Sequence, residues 1–148
     1  MTGRALLAAA LLALTATSAV AGGPVYVGQL AVYQEKSTLE ITTTGRKSGE
    51  PRSTTIWFVV DEKGRLYVQA GSGGKADWYL NLLKTPAVTV QIAELTMTGV
   101  ARPIDDLTEV ARVHELFRQK YLRAKLTAWF GGEVGRGKVV QIEQLVQP

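Results

Sequence analysis

The chain has 148 residues, 46% of them hydrophobic, and a formal net charge of +4. That length fits one domain with a real core, and so mild a charge argues against the dense basic stripe of a nucleic-acid binder. With no cysteine and a single histidine, His114, the sequence excludes disulfides, a thiol nucleophile and Cys- or His-rich metal clusters.

Residues 1–21 read as a targeting segment. MTGR is a short positive start, ALLAAALLALTAT is an apolar run, and Ala19-Val20-Ala21 is a small-x-small cleavage pattern. The apolar run is short for a membrane span, which needs about 20 residues. The expectation is export after cleavage near Ala21, to the periplasm or beyond, with the folded domain spanning 22–148.

The mature chain reads as short strands with two helices. STLEITTT alternates Leu39, Ile41 and Thr43 against polar neighbours, a half-buried strand. STTIWFVV is a second strand, rich in β-branched and aromatic residues. DEKGR is a turn in which Asp61 initiates and Gly64 takes positive φ, so LYVQAG returns as the third strand of a hairpin. DWYLNLLKT is a short helix, with Asp77 as the expected N-cap and Pro86 beyond its end. AVTVQIAE and LTMTGVARPI are two strands meeting near Glu94.

The stretch 105–130 reads as a long helix. Asp106 and Glu109 fit a capping box. Leu107, Val110, Ala111, Val113, His114, Phe117 and Tyr121 form its apolar stripe, and Arg112, Lys120 and Arg123 its solvated side. After the glycine-rich joint GGEVGRG, GKVVQIEQL is the last strand. Regularly spaced antiparallel strands predict a small barrel or sandwich.

Two loops carry the candidate chemistry. In TTTGRKSGEPRSTT, Gly45 and Gly49 bracket a basic turn. Its amides can form an anion-binding concavity, Arg46 and Arg52 can fork onto phosphate, and Lys47 adds a point charge. In GSGGK, Gly71 to Lys75 lead from a strand into a helix, where free N–H groups and the helix end favour an anion. Either loop alone is also consistent with a solvated charged turn. Together they fit an anionic cofactor better than either does alone.

TTTGRKSGEPRSTTIWFV followed by GSGGKADWYLNLLKTPAVTVQI resembles the deazaflavin-dependent nitroreductase family, which includes quinone-reducing enzymes. The similarity covers roughly Leu39 to Arg102. It implies a split β-barrel related to FMN-binding, pyridoxamine-phosphate-oxidase-like proteins. It also implies the coenzyme F(420) as cofactor, and hydride transfer to a small organic acceptor such as a quinone or nitro compound.

Residue by residue, the resemblance implies that Arg46, Lys47 and Arg52 hold the phosphate and polyglutamate tail. Ser53 and Thr54 approach the deazaflavin, and Ser72, Gly73, Gly74 and Lys75 line it from the second loop. Trp78 and Asn81 pack the region and order that second loop. Tyr121, with Phe117 and Trp129, falls in the helix that covers the substrate pocket in the family. Tyr121, Ser72 or water is then the expected proton donor. The family carries a lysine ahead of its glycine pair, near SKGG, where this chain has GSGGK.

Other readings stay open at this stage. FMN, with one phosphate, needs fewer cations. Heme would take His114 as first ligand. A non-catalytic exported module would need only the pocket. A homodimer and a membrane quinone are partners the fold and the export signal allow.

Overall fold

The computed structural model of the protein describes residues 23–25, 27–123 and 136–148. Residues 1–22, with the stretch read as a targeting segment, Tyr26, residues 124–130 of the expected long helix with Trp129, and residues 131–135 lie outside the described residues.

Six antiparallel strands close a barrel in the order β1-β2-β3-β6-β5-β4. They are β1 (Thr38–Thr44), β2 (Pro51–Val60), β3 (Leu66–Ala70), β4 (Ala87–Ile92), β5 (Leu95–Pro103) and β6 (Lys138–Val146). Closure covers the strand edges that an open sheet would expose. Of the barrel or sandwich that the strand pattern allowed, the structure is the barrel.

The alternation in β1 is realised: Leu39, Ile41 and Thr43 are buried while Thr38 and Glu40 are exposed. β2 reads as a continuous apolar run because both of its faces are covered. Ile56 and Phe58 point into the barrel with Leu39, Ile41, Val90 and Met97. Trp57 and Val59 point outward, where they pack with Tyr67, Val113, Phe117 and Tyr121. Gly99 in β5 sits at a register shift against β6, and a Cβ there would come within 2.8 Å of the Glu143 carbonyl oxygen.

Among the described residues, three α-helices complete the fold. α1 (Val27–Ala31) has no counterpart in the sequence reading, because five residues are too few to show a helical period. It buries Leu30 against the barrel core. α2 (Asp77–Lys84) buries Trp78, Asn81 and Leu82. Its N-cap is Ala76, with no side-chain cap, so Asp77 is a first-turn residue rather than the expected cap. A 3-10 turn at Ser72–Gly74 precedes it.

α3 (Leu107–Arg123) lies on the outer wall of the barrel. The Asp106 carboxylate caps it, accepting the Glu109 N–H at 2.8 Å. The Glu109 carboxylate does not complete the box; it accepts the Tyr67 hydroxyl at 2.9 Å. The apolar stripe is narrower than expected. Val113, Phe117 and Tyr121 are fully buried, whereas Leu107 is 82% exposed and Ala111 is exposed.

Two cations assigned to the solvated side are in fact engaged. Arg112 reaches the buried Asp61 carboxylate at 3.2 Å and the Tyr67 hydroxyl at 3.0 Å. Lys120 lies along the apolar wall, as a long aliphatic stem allows. Its amine donates to the Phe58 carbonyl at 2.9 Å and sits 3.7 Å from the Phe58 ring centroid. Burial pushes its pKa down to about 8, against a smaller upward pull from Glu35.

Candidate functional site

The basic loop between β1 and β2 is folded tightly on itself. The Gly45 N–H donates to the Glu50 carbonyl at 2.7 Å, and the Gly49 N–H to the Gly45 carbonyl at 2.8 Å. Gly49 takes φ 72°, a conformation costly for other residues. A Cβ on Gly45 would fall 2.5 Å from Ser48 Oγ. The Glu50 N–H donates to that same Oγ, and the Arg46 N–H is taken by Asn81. The loop amides at Gly45, Arg46, Gly49 and Glu50 are therefore occupied internally. The expected amide concavity does not form from these groups, and side chains carry the loop's charge.

Asn81 is the hub that fixes this loop to α2. Its side chain is buried, at 3% exposure. Oδ1 accepts the Arg46 main-chain N–H at 3.0 Å and Arg46 Nη1 at 3.1 Å. Nδ2 donates to Thr43 Oγ1 at 3.2 Å. Lys84, one turn further along α2, donates to the Arg46 carbonyl at 2.8 Å. Arg46 Nη1 also lies 2.9 Å from Asp77 Oδ1. Asp77 and Asn81, four residues apart, share a helix face, so one face of α2 grips both ends of Arg46.

Between loop and helix lies a cleft of about 510 Å³. Arg46, Lys47, Arg52, Ser53, Thr54, Trp78 and Asn81 all line it, together with Gly45, Ser48 and Asp77. Lys47 and Arg52 are exposed, and among the described residues neither forms an ion pair. Ser53 Oγ is 2.8 Å from Thr42 Oγ1.

β2 supplies more than side chains. It pairs with β1 from Pro51 to Trp57 but with β3 only from Phe58 to Val60. Among the described residues, Pro51 to Ile56 thus have no strand on the β3 side. The Asp61 N–H bonds to the Arg65 carbonyl across the β2–β3 turn. The alternation of an antiparallel ladder then turns the main-chain groups of Ser53 and Thr55 toward that same open side.

The second glycine loop does not join this cleft. Gly73, Gly74 and Lys75 are absent from its lining. The Gly74 N–H bonds to the Gly71 carbonyl at 3.1 Å, and a Cβ on Gly74 would lie 3.1 Å from the Tyr79 ring. Lys75 points to solvent. The side chain of Ser72 lies outside the described part of the protein.

Tyr121 is a wall residue. Its ring is fully buried and stacks on Trp57, with centroids 4.2 Å apart and planes 4° from parallel. Its hydroxyl accepts the Phe58 N–H at 2.9 Å and lies 2.7 Å from the Phe58 carbonyl and 2.8 Å from that of Ser37. It takes the place of a neighbouring strand where β1 has ended. Burial raises its pKa well above that of an ordinary tyrosine, against a hydrogen bond from Phe58. A sealed hydroxyl of this kind is no proton donor to a substrate, so the catalytic expectation for Tyr121 is corrected. Phe117 is likewise core. His114 Nε2 is held by the Gly137 carbonyl at 2.8 Å, a structural role.

Sequence reading missed the part Asp77 plays as partner to Arg46. The residues are distant in the chain, and the only available signal was the four-residue spacing of Asp77 and Asn81 beside a basic loop.

Residues 10–128 match the family model of F(420)H(2)-dependent quinone reductase. Among solved structures, the chain is similar to an F(420)-H(2)-dependent reductase, FDR-A. The identity is 25% and the TM-score 0.55, over 73% of this chain and 95% of that one. A domain-swapped dimer is similar at 26% identity and a TM-score of 0.56, covering 73% of this chain and 81% of the other. An FAD-binding protein from Mesorhizobium loti shares the fold at 18% identity and a TM-score of 0.52, over 84% and 93% of the two chains.

Proposed function

The chain belongs to the F(420)H(2)-dependent quinone reductase family, and on that premise we propose that it carries a hydride from the reduced deazaflavin to a quinone. It is a deazaflavin-dependent oxidoreductase with F(420) as its cofactor. Nitro compounds are secondary acceptors, since they accept the same hydride.

The observation that carries the residue roles is the convergence of two distant segments on one cleft. Arg46, Lys47, Arg52, Ser53 and Thr54 meet Trp78 and Asn81 there. The residues present fit an anionic, ring-bearing ligand. Lys47 and Arg52 are exposed cations without a carboxylate partner among the described residues, suited to phosphate and carboxylate groups of a tail. The unpaired edge of β2 offers main-chain donors and acceptors at Ser53 and Thr55, suited to the polar rim of a flat ring. Trp78 walls the cleft from the core side.

Bound F(420)H(2) supplies the hydride, so the chain's part is orientation, exclusion of water and electrostatics. Asn81 and Asp77 hold Arg46 in place, so its position is set before any ligand arrives. With Tyr121 sealed, the proton that accompanies the hydride comes from solvent at the cleft mouth.

Export after cleavage near Ala21 is supported by the sequence of residues 1–21, and would place the enzyme where a membrane quinone is the acceptor. A homodimer is supported by the likeness to a domain-swapped dimer.

The test is a titration of the full mature chain with F(420), FMN and heme, followed by fluorescence or absorbance. F(420) is expected to bind at micromolar level or better. Arg52→Ala is expected to weaken it about tenfold or more, the cost of a charge-assisted hydrogen bond, at unchanged fold. Tight FMN or heme binding without saturable F(420) binding overturns the cofactor assignment. Unchanged affinity in Arg52→Ala returns that residue to a solvated turn.

A further inference from the structure

We propose that Asp77 is a specificity-determining residue of the cleft: an internal anion that holds Arg46 and that an anionic ligand must displace. The inference rests on the reading of the cleft as the cofactor site.

The geometry is specific. Arg46 Nη1 is shared between Asp77 Oδ1 at 2.9 Å and Asn81 Oδ1 at 3.1 Å. The two partners differ in what surrounds them. Asn81 is buried and bound to Thr43, so it cannot leave. The Asp77 side chain is 84% exposed and has no other partner among the described residues, so it can. It stands at the first position of an eight-residue helix, where the positive helix end favours a carboxylate. Among the described residues it is also the one acid lining the cleft, against Arg46, Lys47 and Arg52.

Two consequences follow from charge alone. A carboxylate at the mouth already satisfies the Arg46 guanidinium, so a weakly charged ligand gains little there. A ligand with several negative charges engages Lys47 and Arg52 at once, and has the means to displace Asp77 from Arg46. Asp77 therefore biases the cleft toward polyanionic ligands and away from monoanions, by competition rather than by shape. The same exchange lets Arg46 stay ordered with and without ligand, which limits the entropy lost on binding.

The experiment is a double-mutant cycle on the full mature chain, using Asp77→Asn, Arg46→Gln and the double variant. Kd for F(420) is measured at low salt, with urea unfolding as a check on each fold. Asp77→Asn is expected to tighten binding about two- to fivefold, the range that releasing an exposed ion pair allows. In the Arg46→Gln background the same change is expected to have almost no effect. The gain should shrink as salt is raised, because the contacts are solvent-accessible.

Wild-type binding with no gain, or a loss, in Asp77→Asn overturns the inference and leaves the cofactor assignment standing. A gain that persists in the Arg46→Gln background also overturns it, since that is a general field effect without displacement. If wild type fails to bind F(420), the cofactor assignment falls instead. The cycle is then read with tripolyphosphate as the probe anion, by the same criteria.

Discussion

Replacing Asn81 with alanine tests whether the first loop is held by α2 or by its own turn. The substitution removes three contacts: from the Arg46 N–H at 3.0 Å, from Arg46 Nη1 at 3.1 Å and to Thr43 Oγ1 at 3.2 Å. Each neutral hydrogen bond contributes about 1 kcal/mol net. The contact to the guanidinium counts at the low end of the charge-assisted range, because Arg46 is 28% exposed and keeps Asp77. The loss also leaves the Thr43 hydroxyl, 2% exposed, without this partner. Together these make Asn81→Ala about 2–4 kcal/mol less stable. With a urea slope of about 2 kcal/mol per molar, the unfolding midpoint should fall by about 1–2 M at unchanged slope. F(420) affinity should fall as well, since Arg46 then depends on Asp77 and Lys84 alone. Asn81→Leu separates hydrogen bonding from packing, because it fills similar space without polar atoms. It should be destabilised comparably. A midpoint within about 0.3 M of wild type in the alanine variant, or full recovery with leucine, refutes the hub.

Two further substitutions probe the α3 wall. Tyr121→Phe keeps the stack on Trp57 but removes the acceptor of the Phe58 N–H. It should cost about 1–3 kcal/mol in urea unfolding while leaving kcat for quinone reduction within about twofold; a large loss of kcat at unchanged stability would restore a catalytic role. Lys120 titrates at about 8 in the folded protein because burial disfavours its charge. Between that value and the ordinary lysine range the unfolded chain binds more protons, so stability rises with pH across this window and is lost as pH falls through about 8. Lys120→Met should flatten that rise in thermal melts taken from pH 7 to 10, and parallel wild-type and variant curves would refute it.

Much of the fold was legible because its signals are local. The alternation of Leu39, Ile41 and Thr43 places β1, the Asp61–Gly64 turn places the β2–β3 hairpin, and Asp106 marks the start of α3. What failed was long-range. Lys120 and Arg112 read as solvated because a charged residue beside an apolar stripe usually is. Their partners, Phe58 and Asp61, lie on β2 and just past its end, and no helical period reveals them. The site divides in the same way. Arg46, Lys47, Arg52, Trp78 and Asn81 were found through two motifs whose residues do meet. The motifs did not show that Asp77 would pair with Arg46 rather than cap α2, or that Gly73 to Lys75 would stand apart from the cleft.

The position of the cleft follows from a mismatch in strand lengths. β2 has ten residues, more than either neighbour can pair. Along β2, pairing with β1 stops at Trp57 and pairing with β3 starts at Phe58, so β2 has an unpaired edge at each end, on opposite sides. Unpaired main-chain groups must be satisfied by something. At Phe58 the chain does this itself, with the Tyr121 hydroxyl and the Lys120 amine bound to one residue's N–H and C=O. At Ser53 and Thr55 no such side chain arrives among the described residues, and at Ser53 the cleft lined by three cations opens instead. One end of the strand is closed by α3 and has a structural chemistry. The other opens on the cleft lined by Arg46, Lys47 and Arg52, and α2 holds Arg46 in place beside it. Tyr121, placed in the site by resemblance, belongs to the closed end for that reason.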